Sequence, residues 1–260
     1  MLLVIDAGNT HTVIGLYENE ELRAHWRLFT NHYRTKDELG ILLTALLQQE
    51  GASPAGIKGC CVSSVTPPID TALLALSRDA FGIEPVVVGP GVKTGLVFQI
   101  DNPKELGADR IVNAVGARAQ YDGPLIIVDF GTATTFDVVS EHGEYQGGCI
   151  APGLQIAADA LFERCAKLPR VDIAKPASVI GKDTISHIQA GLTYGYAELV
   201  DGLLRRMADE MGITPTVVAA GGYAGLMANS VQRIDHVDPL LTLKGLKNIH
   251  ERNAPAKDGG

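Results

Sequence analysis

A fifteen-residue pattern occurs twice in this chain, and the repetition limits what the chain can fold into. Leu3 to Tyr17 runs from apolar residues to Asp6, through the small turn residues Ala7, Gly8, Asn9 and Thr10, into a second β-rich run. Leu125 to Val139 does the same through Asp129, Gly131 and Thr132. At a shift of 123 positions Asp6 falls on Asp129, Gly8 on Gly131 and Thr12 on Thr135; further on, Glu18 falls on Glu141 and Glu21 on Glu144. Apolar runs ahead of an acid arise easily by chance. The acid, the glycine, the threonine and the following strand-turn in one register do not. The pattern predicts an internal duplication, each copy opening on a β-hairpin with a carboxylate at its tip.

Such a tip has a definite chemistry. A glycine lets the backbone approach a bulky anion closely. Asn9 and Thr10 supply neutral donors, and exposed turn amides cradle phosphate. An aspartate repels phosphate directly but suits a hydrated cation seated on it. In a fold built by duplication the two tips are expected to face one another across a cleft.

Composition narrows the class. The chain has 260 residues and 46% hydrophobic content, enough for two medium domains with real cores. Its formal net charge of -8, with no long Lys/Arg cluster, disfavours nucleic acid as a partner. The first apolar run stops at Asp6, too short for a signal peptide, and no run approaches the ~20 residues of a membrane span. A cytoplasmic protein is expected, with no membrane partner. Cys60, Cys61, Cys149 and Cys165 lack zinc-ligand spacing; the first two read as buried thiols.

The order of elements predicts an α/β protein with mixed sheets flanked by helices. A third strand, 22–29, follows the first hairpin. Thr35 and Glu38 form a capping box ahead of a helix through Leu39, Leu42, Leu43, Leu46 and Leu47. A strand at 59–65, a helix opened by Pro67 and Pro68, and a short strand at 86–88 complete βββαβαβ. Residues 89–107 read as a long loop, functional or mobile, and a helix then runs to about Tyr121. The domain boundary is expected there, giving domains at 1–121 and 122–252 and a disordered tail at 253–260. In the second half a helical region covers 184–211, with a break near Gly195. Its stripe of Ile188, Leu192, Tyr196, Leu199 and Leu203 suits either a core or a dimer interface.

Two further constellations carry chemistry. Val217 to Gly222 is a strand entering a glycine pair at a helix start, where side-chain-free backbone at Gly221 and Gly222 can pack against adenosine. Gly107-Ala108-Asp109-Arg110 joins an acid and a base at a helix start: Asp109 can take a proton from a hydroxyl, and Arg110 can bind a carboxylate bidentately. A plain N-cap acid beside a surface arginine would look the same. There is no Walker A motif and no GxGxxG, so any nucleotide is held in another way.

Two such hairpins followed by a strand-Gly-Gly element resemble the actin, Hsp70 and sugar-kinase superfamily. More narrowly, Asp6 to Thr10, Asn102 to Arg110, Asp129 to Thr134 and Gly181 to Thr184 resemble type III pantothenate kinase, over about residues 1–250. The resemblance implies two duplicated ribonuclease H-like domains, ATP-dependent phosphorylation of pantothenate, magnesium with the ATP, a monovalent cation (potassium or ammonium), and a homodimer. By motif, Asp6, Ala7, Gly8, Asn9, Thr10, His11, Thr12, Val13 and Thr132 would contact ATP, with Asp6 serving magnesium through the phosphates. Gly107, Ala108, Asp109 and Arg110 would bind pantothenate, with Asp109 as general base. Thr184 would contact the substrate and Asp129 the monovalent cation. Two positions depart from the family pattern: Ile100 replaces an aromatic, and Ala220 replaces a threonine before Gly221-Gly222. A non-catalytic nucleotide-binding regulator of the same superfamily is the alternative, and an ATPase with no acceptor is a third reading.

Overall fold

The computed structural model describes residues 1–254, which form two compact units. Of the described residues, the first unit gathers Met1–Leu96, Asp101–Ala119 and 241–254; the second gathers Val97–Ile100 and Gln120–Leu240.

In the first unit β1 (Leu2–Ala7), β2 (His11–Glu18) and β3 (Glu21–Phe29) form an antiparallel meander. Then come α1 (Lys36–Gln49), β4 (Gly59–Ser64), α2 (Pro67–Phe81) and β5 (Val86–Val87), in the predicted order. The sheet runs β3-β2-β1-β4-β5, with β4 parallel to both β1 and β5. Outer strand β3 alternates polar and apolar residues, as a strand with one wet face must. Inner strand β4 is almost wholly buried and built of small residues, Gly59-Cys60-Cys61-Val62-Ser63-Ser64. Leu39, Leu43 and Leu47 of α1 and Ile69, Leu73 and Leu76 of α2 close over one core with Leu3, Ile5, Ile14 and Leu16. Burial pushes the Cys60 thiol up to about 11, so it acts as packing and not as a nucleophile.

The chain passes from the first unit to the second between Ala119 and Gln120, but it also returns to the first at Leu241. Helix α8 (Leu241–Asn253) belongs to the first unit, where it packs on α3 (Ala108–Arg118), β1 and β4. The physical reason is glycine. A Cβ on Gly245 would overlap the Val112 carbonyl, and one on Gly116 would lie 2.5 Å from the Leu241 carbonyl, so the two helix backbones touch. Leu241, Leu243, Leu246 and Ile249 are buried there. Asn253, placed in the disordered tail by sequence, ends α8 and holds Lys93 by hydrogen bonds of 3.0 and 2.9 Å. The rest of that tail beyond Ala254 lies outside the described residues. The 89–107 loop also contains a strand, β6 (Val97–Phe98).

The second unit contains β7 (Leu125–Phe130), β8 (Ala133–Val139), β9 (Glu144–Pro152), α4 (Leu154–Arg164), α5 (Thr184–Ala190), α6 (Tyr196–Met211), β10 (Thr216–Ala220), α7 (Ala224–Met227) and β11 (His236–Val237). Its sheet runs β11-β10-β7-β8-β9, the first unit's order again, with β6 added beside β9. Even the irregularities repeat: β3 carries an extra residue, Arg23, opposite Leu16 and Tyr17 of β2, and β9 carries one, Gln146, opposite Val138 and Val139 of β8. Between α5 and α6 the expected break is one π turn, Gly191–Gly195. Ile188, Leu192 and Tyr196 of the helical stripe are buried within this unit, whereas Leu199 is exposed.

The duplication corrects one equivalence. Three residues, Gly8 to Thr10, join β1 to β2, but only Gly131 and Thr132 join β7 to β8. Asp6 therefore pairs with Val13 and Asp129 with Thr135; Thr12 pairs with Ala7 and Thr134 with Phe130. The structural counterpart of Thr12 is Thr134, and both are buried. A slip of one residue moves a strand side chain to the opposite face.

Candidate active site

In the first unit the tip is fixed from three directions. Gly8 N–H donates to the His11 carbonyl at 3.1 Å and closes the turn. Thr30, just past β3, donates its N–H to the Thr10 carbonyl at 2.9 Å and its hydroxyl to the Gly8 carbonyl at 2.8 Å. That hydroxyl also meets the Thr12 hydroxyl at 2.9 Å. From β4, Ser63 Oγ donates to Asp6 Oδ1 at 2.6 Å. Asn9 and His11 face outward while Ala7 and Thr12 are buried. Partial burial, then the charge of Arg27, holds His11 below its ordinary pKa, which favours a neutral imidazole at the tip.

The Gly107 to Arg110 segment sits at the same edge of this unit's sheet. Val65, directly after β4, donates to the Ala7 carbonyl at 3.1 Å. Val65 Cγ1 lies 3.8 Å from where a Gly107 Cβ would stand. The phosphate-type turn and the acid-base segment thus meet beyond the carboxyl ends of parallel strands β1 and β4, where ligands bind in open α/β sheets. Gly107 caps α3, and a Cβ there would crowd Asp109 Oδ1 at 2.5 Å. Asp109 is half-buried in the first turn of α3 and accepts the Arg110 N–H at 2.9 Å. Burial raises its pKa, offset by that backbone bond and by the Arg110 charge. A carboxylate with raised proton affinity is a better base.

In the second unit the backbone crowds around Asp129. Gly221 has φ +88, and a Cβ on it would overlap Asp129 Oδ1 and lie 2.7 Å from the Phe130 carbonyl. A Cβ on Gly131 would lie 3.5 Å from the same Oδ1. Gly153, ahead of α4, packs its bare Cα on the carbonyls of Gly131 and Thr132. Gly221 and Gly222 do not open a helix directly; α7 starts at Ala224 after a turn. Across β8, Thr135 Oγ1 donates to Asp137 Oδ2 at 3.3 Å, and the Tyr145 hydroxyl donates to Asp137 Oδ1. Thr132 is exposed at the tip. Thr184 is exposed on the first turn of α5, whose capping box joins Asp183 and Ser186.

A family model described as type III pantothenate kinase matches residues 2–206. The chain belongs to the type III pantothenate kinase family. It is 54% identical over 253 residues to the type III pantothenate kinase of Anaeromyxobacter sp. strain Fw109-5, covering 97% of this chain and 100% of that one. It is 52% identical over 254 residues to that of Bacillus cytotoxicus, covering 98% and 97%. Among solved structures, a Baf-family protein from Campylobacter jejuni superposes with a TM-score of 0.61 at 19% identity, covering 96% of this chain and 98% of that one. A likeness at that identity speaks for the fold alone. The fold is the two-sheet α/β architecture of the actin, Hsp70 and sugar-kinase class.

For this family member the sequence motifs located both tips and the Asp109 segment but missed their supports. Thr30, Ser63 and Gly153 belong to none of these motifs, and Asp137, though within the second copy of the repeat, was given no role there. Ser63 is aligned with Asp6 only by the parallel pairing of β1 and β4, 57 residues apart in the chain. Gly153 alone carried a signal, as the glycine after Pro152 just ahead of α4.

Proposed function

We propose that this protein phosphorylates pantothenate with ATP, the opening reaction of coenzyme A synthesis. The observation that carries the reading is the first unit's sheet edge. There the Asp6 turn and a half-buried aspartate beside an arginine share the ends of two parallel strands. Phosphoryl transfer needs positioning, charge neutralisation and a base for the hydroxyl proton. Asp109 takes that proton, and Arg110, with Gly107 and Ala108, binds the carboxylate end of pantothenate. Asp6 to Val13 and Thr132 contact ATP, with Asp6 serving magnesium, which neutralises phosphate charge when bound. Gly221 and Gly222 line the adenosine, and Thr184 contacts the acceptor.

Asp129 holds a monovalent cation. What supports the reading is an acceptor-only carboxylate against which the bare backbones of Gly131 and Gly221 pack closely. The protein works as a cytoplasmic homodimer, for which light scattering at micromolar concentration should return twice the 27.5 kDa subunit mass. Among the described residues no helix is long and apolar enough to cross a membrane. A coupled assay of ADP release, with and without pantothenate, tests the function. ADP formation that requires pantothenate is expected; release indifferent to it would leave an ATPase, and none at all a regulator.

A further inference from the structure

The acids at the two hairpin tips are not held alike, and the duplication makes the difference legible. In the parallel pairing of β1 with β4, Asp6 is registered with Ser63. In the matching pairing of β7 with β10, Asp129 is registered with Ala220. Both partners are buried. Ser63 gives its hydroxyl proton to Asp6 Oδ1 at 2.6 Å, whereas Ala220 has none to give. On the antiparallel side the pattern reverses. Val13 stands opposite Asp6, and Thr135 opposite Asp129, where its hydroxyl is directed to Asp137. Two copies of one motif have thus exchanged the strand that carries the hydroxyl residue registered with the acid, β4 for Asp6 and β8 for Asp129.

The exchange matters for what each acid can hold. Magnesium demands near-ideal octahedral geometry and keeps several of its waters, so an acid serving it must present an oxygen in a fixed direction. A short O–H bond to one carboxylate oxygen fixes the plane of the group and hence the direction of the other oxygen. Ser63 is fully buried behind Asp6, so it reaches a ligand only through that carboxylate. We infer that Ser63 is a positioning residue for the magnesium of the bound nucleotide, acting through Asp6. The inference rests on the proposed ATP-binding role of the Asp6 tip.

The test is a double-mutant cycle read by nucleotide binding. Calorimetry with a non-hydrolysable ATP analogue, in excess magnesium and again in EDTA, is run on the parent, Ser63→Ala, Asp6→Asn and the double variant. Hydrogen bonds to charged groups predict that Ser63→Ala weakens magnesium-nucleotide binding by about tenfold, with metal-free binding unchanged. In the Asp6→Asn background Ser63→Ala should change neither value. Ser63→Cys, with nearly the same volume and a weaker donor, should fall between the parent and Ser63→Ala, and it stands in if Ser63→Ala does not fold. An equal loss in EDTA, the same loss without the Asp6 carboxylate, or no loss overturns the role of Ser63. A parent that binds the analogue no better with magnesium than without it overturns the ATP reading of the tip as well.

Discussion

At the scale of single residues, Asp109 carries opposite signs for stability and activity. Burial raises its pKa, so the unfolded chain ionises this group before the folded one does. Its contribution to stability therefore falls as pH rises from the ordinary carboxylate value to the raised one, and stays low above that window. Asp109→Asn removes the charge. Its melting temperature at pH 7.5 should equal or exceed the parent's, and the difference should shrink towards pH 4. Turnover should fall by about 10²- to 10⁴-fold, the usual effect of losing a positioned base, while ATP binding holds. Arg110→Ala should raise the pantothenate KM, because it removes ground-state binding of an anion. Steady-state kinetics beside scanning calorimetry reads all of this; near-normal turnover in Asp109→Asn would move the base elsewhere. Gly221 is the second critical residue. Alanine there meets both a positive φ and the Asp129 carboxylate, so Gly221→Ala should cost about 2 kcal/mol or more in urea unfolding.

At the scale of elements, local rules account for most of what is seen. Thr35 N–H donates to Glu38 Oε2 at 2.7 Å, and Glu38 N–H to Thr35 Oγ1 at 3.3 Å, which completes the predicted box at the start of α1. Thr35→Ala should lower stability by about 1 kcal/mol, read as a lower urea midpoint with an unchanged slope. Bonds to the Glu38 carboxylate from the Thr35 backbone N–H first, and from the Thr35 hydroxyl second, lower the Glu38 pKa. The cap's contribution is therefore present above the ordinary glutamate pKa and is lost as pH falls through the lowered value. Pro67 and Pro68 open α2, and Gly82, in the left-handed region, closes it by donating to the Arg78 and Ser77 carbonyls. Periodicity was less decisive for the stripe on α5 and α6. An apolar face at helical spacing reads the same whether a core or a partner covers it, and here Ile188, Leu192 and Tyr196 face their own unit.

At the scale of the whole molecule, the duplication is one of topology rather than of chain segments. Both sheets share an order, yet the chain passes between the units near residues 96, 100, 119 and 240. The two tips have diverged: one presents an aspartate tied to a serine, the other an aspartate between glycines. Such a division of labour predicts turnover that depends on potassium or ammonium and is low in sodium. Initial rates in the three chlorides at equal ionic strength check it, and equal rates would contradict the assignment of Asp129.

The sequence alone determined the features that depend on neighbours a few residues away. Hairpins β1–β2 and β7–β8, the Thr35 box, the proline-opened α2 and the acid-base start of α3 follow from alternation, turn chemistry and capping, which act over one or two turns of chain. It also placed Asp6, Asp129 and Asp109 at element ends, because their motifs are contiguous. Tertiary structure alone decided what depends on register and on meetings between distant segments. No local signal pairs Ser63 with Asp6, ties Thr30 to the first tip, matches Thr12 to Thr134 through a tip one residue shorter, or returns α8 to the first unit on the bare backbones of Gly116 and Gly245. Those contacts join positions 18 to 133 residues apart. They form only once the first unit's sheet exists to hold them in register.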